Sequence, residues 1–155
     1  MRSEDGAARE ILDAGECLRL LGSVPVGRLV FTQGGLPVIR LVNFLVDTDT
    51  IVFVSDDPEW LQAAHRGDVV AFEVDDLDPS RQLGWTVTSI GHLSVVPAAE
   101  AADLERTAPS WVGLGGRPLF RLGVESLSGR RAPIDAQGNG SEAFPNRHGL
   151  RTVAT

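Results

Sequence analysis

The side chains best suited to hold a planar ligand are three tryptophans, Trp60, Trp85 and Trp111. An indole offers a wide apolar face for stacking, and the same face suits it to a core or a subunit interface. Arg40 interrupts the otherwise apolar run from Val38 to Val42, and Asn43 follows. A guanidinium at that point can donate to a ring carbonyl or a carboxylate, or simply face water at a strand surface. The Asn43 amide can serve a ligand or a strand end equally well. His65, His92 and His148 are far apart and show no metal-ligand spacing, so no metal site is expected. There is no Gly-x-Ser-x-Gly elbow, and no Ser/His/Asp set stands out. Gly113-Leu114-Gly115-Gly116 lacks the strand-to-helix setting of a dinucleotide loop and reads as a plain loop. Asp75, Asp76 and Asp78 lack the EF-hand pattern and read as a solvated loop. These residues assign no catalytic acid, base or nucleophile.

Composition narrows the chemistry further. All 14 basic residues of the 155 are arginine. Without lysine, no Schiff base to a carbonyl substrate or pyridoxal phosphate can form, and no Walker-type lysine is available. The single cysteine, Cys17, leaves no internal disulfide and no cysteine-built metal site. A net charge of −7 argues against a nucleic-acid partner, which calls for a basic face. The acid is concentrated: Asp47 to Asp78 holds ten Asp/Glu and one arginine, Arg66. No apolar run approaches the roughly 18–20 residues of a membrane span. The polar N-terminus lacks the pattern of a signal peptide, so the expected location is the cytoplasm.

The elements that must position these side chains follow from patterning. Residues 1–11 read as a flexible leader. Asp13 and Glu16 have the spacing of a capping box, opening a helix that runs to about Leu21 with Gly22 as its stop. Strands are expected at 27–32, 36–46 and 51–55, joined by short turns as an antiparallel meander. Asp57-Pro58 opens a short helix to Arg66. Strands follow at 69–74 and 85–96, with Gly91 marking a bulge or bend. Pro97 leads into a helix through Arg106, a loop spans 107–117, and a sixth strand spans 119–126. Residues 132–155 lose all periodicity and read as a disordered tail. The expectation is one mainly β domain over 12–131, a six-stranded antiparallel split barrel with short flanking helices. Closure would remove its exposed edges.

Several stretches, in this order, resemble the pyridoxamine 5'-phosphate oxidase-like proteins of actinobacteria. They are Cys17-Leu-Arg-Leu-Leu21, Val24-Pro-Val-Gly-Arg-Leu-Val-Phe31, Leu41-Val-Asn-Phe44, Arg66-Gly-Asp-Val-Val-Ala-Phe-Glu-Val-Asp-Asp76, Gly84-Trp-Thr-Val87 and Leu127-Ser-Gly-Arg-Arg131. The resemblance implies a homodimeric split barrel with a small-molecule site in each inter-subunit cleft. It implies that Arg40, Leu41, Val42 and Asn43 line a flavin ring, and that Phe53, Val54 and Ser55 flank the ribityl chain. Trp85 and Trp111 would approach the ring from the partner. The cofactor so implied is flavin mononucleotide (FMN), with the deazaflavin F420 ranked below it, and the activity is that of a flavin-dependent oxidoreductase on a small organic substrate.

One segment departs from the family. Where its flavin binders carry a hydroxyl and then a cation entering the helix, this chain carries Glu59 and Trp60, preceded by Asp56 and Asp57. A helix N-terminus attracts phosphate, but carboxylates already placed there repel it. Two unit charges ~4 Å apart cost on the order of 1–4 kcal/mol near a surface. Arg28, Arg66 and Arg81 are the cations considered for compensation, and Glu59→Ser with Trp60→Lys is predicted to restore phosphate affinity. The departure supports a second reading, a split barrel that has lost flavin and binds or converts a hydrophobic biosynthetic intermediate by cyclisation or isomerisation. A non-catalytic carrier or sensor would have the same sequence.

Overall fold

The computed structural model describes residues 10–80, 83–110, 113 and 115–133. Trp111, Arg81, His148, most of the expected leader and the expected tail beyond residue 133 lie outside the described residues. A short strand, β1 (Glu10–Leu12), leads into helix α1 (Ala14–Leu21). The Asp13 carboxylate caps α1 by accepting from the Glu16 N–H at 2.8 Å. The helix buries Cys17, Leu20 and Leu21, with Leu18 half-buried beside them.

The meander follows as β2 (Val26–Gln33), β3 (Leu36–Asp47) and β4 (Thr50–Val54). Gly34 and Gly35 both take positive φ, 57° and 80°, which a two-residue hairpin turn requires and which glycine adopts without strain. Helix α2 (Pro58–Arg66), strands β5 (Val69–Asp78) and β6 (Leu83–Val95), helix α3 (Ala98–Thr107) and strands β7 (Leu119–Gly123) and β8 (Ser126–Pro133) complete the chain.

The hydrogen-bonded order β6-β5-β2-β3-β4-β7 closes on itself because β6 also pairs β7. Six antiparallel strands thus form the expected barrel. Its interior holds Leu29, Phe44, Ile51, Phe53, Phe72, Val87 and Phe120, all essentially inaccessible to solvent. Helix α3 rides on the outside, over Val52, Val54, Val96 and Leu119.

Gly91 marks the place where the long strand β6 changes neighbours. Leu83–Ile90 pairs β8, and Leu93–Val95 pairs β7 on the same edge. A side chain at Gly91 would overlap the Gly123 carbonyl, so only glycine permits the approach.

Three expectations are corrected. The sixth strand, read as 119–126, ends at Gly123, and the chain turns at Val124-Glu125 into the separate strand β8. Strands β1 and β8 extend the sheet beyond the barrel, through Glu10↔Arg131 and Trp85↔Arg131 pairings. The acidic run is not a loop: β5 continues through Asp78, paired residue for residue with β6. Backbone ladders are indifferent to acidic side chains that face water, so composition alone hid this extension. No helix among the described residues is long and apolar enough to cross a membrane.

Candidate functional site

Strands β3 and β4 pair only from Phe44↔Phe53 to Asp47↔Thr50. Beyond the Phe44↔Phe53 rung they part. Strand β3 stays with β2 back to Leu36, while the chain after β4 turns away into α2. The parting opens a cavity of about 340 Å³. One wall is Arg40, Leu41, Val42 and Asn43; the other is Val54, Ser55, Asp56 and Asp57, with Trp60 and Arg117 completing it. Seven of the sequence-selected residues thus converge on one cleft, drawn from two segments ten or more positions apart.

Two of the described selected residues are not in that lining. Phe53 points into the barrel, fully buried, and stacks on Phe120 at 5.6 Å between ring centroids. Side chains alternate along a strand, so Val54 can reach the cleft only if Phe53 does not. Trp85 sits half-buried on β6, opposite Asp76 and Arg131, and packs on the core. Trp111 lies outside the described residues.

Trp60 lines the cleft without being free to stack on a ligand. It is only 3% exposed, wedged against Phe31 (centroids 4.4 Å) and, edge-on, Phe53 (5.5 Å). It is a fixed part of the cleft wall. Glu59 projects to the other side of α2, where a second cavity of about 410 Å³ is lined by Gln33, Gln62, Arg66 and Asp68 among others.

The start of α2 satisfies itself. Asp57 accepts from the Glu59 N–H at 3.0 Å, and the Ser55 hydroxyl accepts from the Asp57 N–H at 3.2 Å. Ser55, which the resemblance places beside a ribityl chain, is thereby engaged in a local turn. Two of the cations considered for compensation are committed elsewhere. Arg28 bridges Glu73 and Asp75 at 3.0 and 2.6 Å; Arg66 holds Asp68 at 2.7 Å. These partners raise each arginine's pKa, chiefly through the hydrogen bond it donates to Glu73 and Asp68 respectively.

The cations that do face the cleft are Arg40 and Arg117. Arg40 is exposed and donates to its neighbouring Ile39 carbonyl at 3.1 Å. Arg117 escaped the sequence reading because it lies in an irregular loop 61 positions from its partner Asp56. Its guanidinium sits 3.5 Å from the Asp56 carboxylate and donates to the Gly113 carbonyl. The only available signal was its position two residues before the last barrel strand. The cleft therefore offers a partly apolar strand wall, an amide, and two guanidinium groups facing the two carboxylates of Asp56 and Asp57, suited to a planar, partly polar molecule.

Known proteins share this arrangement of sequence and fold. The chain is 36% identical over 144 residues to an uncharacterized protein of Mycobacterium tuberculosis, covering 88% of this chain and 95% of that one. Its structure matches a FAD-binding protein from Mycobacterium smegmatis at 30% identity and a TM-score of 0.66, over 82% of this chain and 99% of the other. A FAD-binding protein from Mesorhizobium loti superposes with a TM-score of 0.66 over 80% and 98% of the two chains; at 22% identity, that likeness speaks for the fold alone. The model of the pyridoxamine 5'-phosphate oxidase family matches residues 13–131, a span that takes in the whole barrel and both walls of the cleft, and the chain belongs to that family.

Proposed function

We propose that the chain binds a flavin in the cleft between β3 and the β4–α2 segment and acts as a flavin-dependent oxidoreductase on a small organic substrate. The observation that carries this reading is the convergence of Arg40–Asn43 and Val54–Asp57 on one cavity in a chain of this family. The FAD-binding neighbour at 30% identity supports it. The wall of Leu41 and Val42 fits an aromatic ring system, and Arg40 and Asn43 supply donors for its polar edge. At the α2 end the fit to a phosphate is poorer, because Asp56 and Asp57 stand where the anion would go.

A bound flavin supplies the redox chemistry. The protein's own residues hold and orient. Arg40 and Asn43 fix the ring by hydrogen bonds, Trp60 and Val54 exclude water from the cleft wall, and Arg117 balances negative charge at its end. The cleft opens along the part of β3 that pairs only on its β2 side. We therefore propose that a second copy of the chain covers it, as a homodimer, and that the substrate enters between the two.

The second reading is a barrel that holds a hydrophobic metabolite without flavin, converting or carrying it. The self-satisfied start of α2 favours it. The two separate on the purified protein. A yellow preparation with flavin absorption bands, or sub-micromolar binding of added FMN or FAD, is the expected result. A colourless protein that ignores riboflavin, FMN and FAD alike would refute the flavin reading and leave the second.

A further inference from the structure

The first turn of α2 has nothing left to offer an anion. The N–H groups of Asp57, Glu59 and Trp60 donate to Ser55 Oγ, Asp57 Oδ1 and the Asp57 carbonyl. Residue 58 is proline and has no N–H to give. A ligand with a charged tail must find its positive partner elsewhere in the cleft.

The β4–β7 ladder supplies one. Val54 pairs Leu119, and the Ser55 N–H donates to the Pro118 carbonyl at 3.4 Å. Continuing that register sets Arg117 opposite Asp56, at the rim of the same cavity. The position is therefore dictated by strand pairing, although the residue itself lies outside any strand.

Arg117 also makes the longest of the arginine ion pairs among the described residues, while its other terminal nitrogen donates to the Gly113 carbonyl. Its 3.5 Å separation from Asp56 exceeds the 2.6–3.2 Å of the pairs made by Arg19, Arg28, Arg66, Arg121 and Arg131. A well-formed charge-assisted hydrogen bond is nearer 2.7–2.9 Å. Arg117 and Asp56 are 40% and 69% exposed, so water weakens their attraction. A guanidinium so placed can exchange one carboxylate for a phosphate and gain a two-point contact.

From this we infer that Arg117 is the specificity-determining cation of the cleft: it takes the phosphate of a flavin nucleotide in place of Asp56, substituting for the closed helix terminus. The assignment rests on the flavin reading. Asp56 is then the competitor that keeps the guanidinium neutralised while the cleft is empty, and anion binding is tuned by the pair rather than by α2.

The test compares FMN with riboflavin, which lacks the phosphate, by quenching of flavin fluorescence in the full-length chain. Wild-type protein should bind FMN at least about tenfold more tightly than riboflavin, the scale of one such charge contact. Arg117→Gln should erase that preference and leave riboflavin affinity unchanged, while Arg117→Lys should keep part of it. Asp56→Asn should tighten FMN several-fold without affecting riboflavin. If flavins bind but the preference for FMN is absent in wild type, or survives in Arg117→Gln, the assignment of Arg117 is wrong while the flavin reading stands. If riboflavin, FMN and FAD all fail to bind, the flavin reading itself fails, and this assignment with it. Equal unfolding midpoints for the four proteins show that binding, not folding, is being read.

Discussion

Trp60 is a packed part of the cleft wall and not an open stacking face. It borders the cleft, yet its indole is locked between Phe31 and Phe53. Trp60→Ala should lower the unfolding free energy by about 3–5 kcal/mol, the range for deleting a buried aromatic. That is a large part of the roughly 5–15 kcal/mol that a domain has, and denaturant midpoints will read it. A ligand-stacking tryptophan would instead lose ligand affinity at unchanged stability. The replacement predicted from sequence, Glu59→Ser with Trp60→Lys, is therefore corrected: it would force an ammonium among aromatic rings, and an unpaired buried charge is strongly disfavoured. Sequence showed that the family's cation is missing, because residue types at fixed spacing carry that information. It could not show which way Trp60 points, which depends on barrel curvature, nor that Arg117 comes in across the β4–β7 ladder. That contact joins Asp56 and Arg117 through a register no local pattern encodes.

At the scale of elements, most boundaries were legible because local chemistry sets them. Asp13 and Asp57 cap their helices as their spacing implies, and Gly34-Gly35 turns its hairpin. What stayed hidden were pairings between distant segments. The capping-box reading of Glu16 is one case. Its carboxylate does not turn back to Asp13 but holds Arg19 at 2.6 Å and Arg131, on β8, at 3.0 Å. These hydrogen bonds, that to Arg19 first, lower its pKa from 4.5 to about 2. A carboxylate whose folded pKa lies below its unfolded value stabilises the fold above the unfolded pKa and loses that contribution as pH falls through the folded one. Glu16→Gln should therefore weaken the protein at pH 7. The difference should shrink below about pH 4.5 and vanish near pH 2. Urea midpoints across that range check it; a gap that persisted at pH 2 would mean that Glu16 acts by packing and not by charge. Arg131 ties β1, α1 and β8 together in one set of contacts.

For the whole molecule, the barrel closes but leaves an apolar stretch of β3 exposed. Strand β3 carries Ile39 and Leu41, two apart and so on one face, at 60% and 68% exposure, along the stretch that β4 does not pair. Large side chains so exposed beside one another usually mark a surface that another protein covers, and an incompletely paired strand edge is a liability unless it is shielded. The cleft opens at this same stretch, so a second copy seated there would cover Ile39 and Leu41 and finish the wall of the cavity together. That coupling gives the homodimer proposal a consequence beyond oligomeric state. Ile39→Asp leaves both the barrel core and the cleft lining untouched, since the side chain is exposed and does not border the cavity. This variant should elute as a monomer of about half the wild-type mass in light scattering, keep its unfolding cooperativity, and bind flavin at least about tenfold more weakly. A variant that stays dimeric would place the interface elsewhere. A monomer with unchanged flavin affinity would mean that the cleft is complete within one chain and owes nothing to its neighbour.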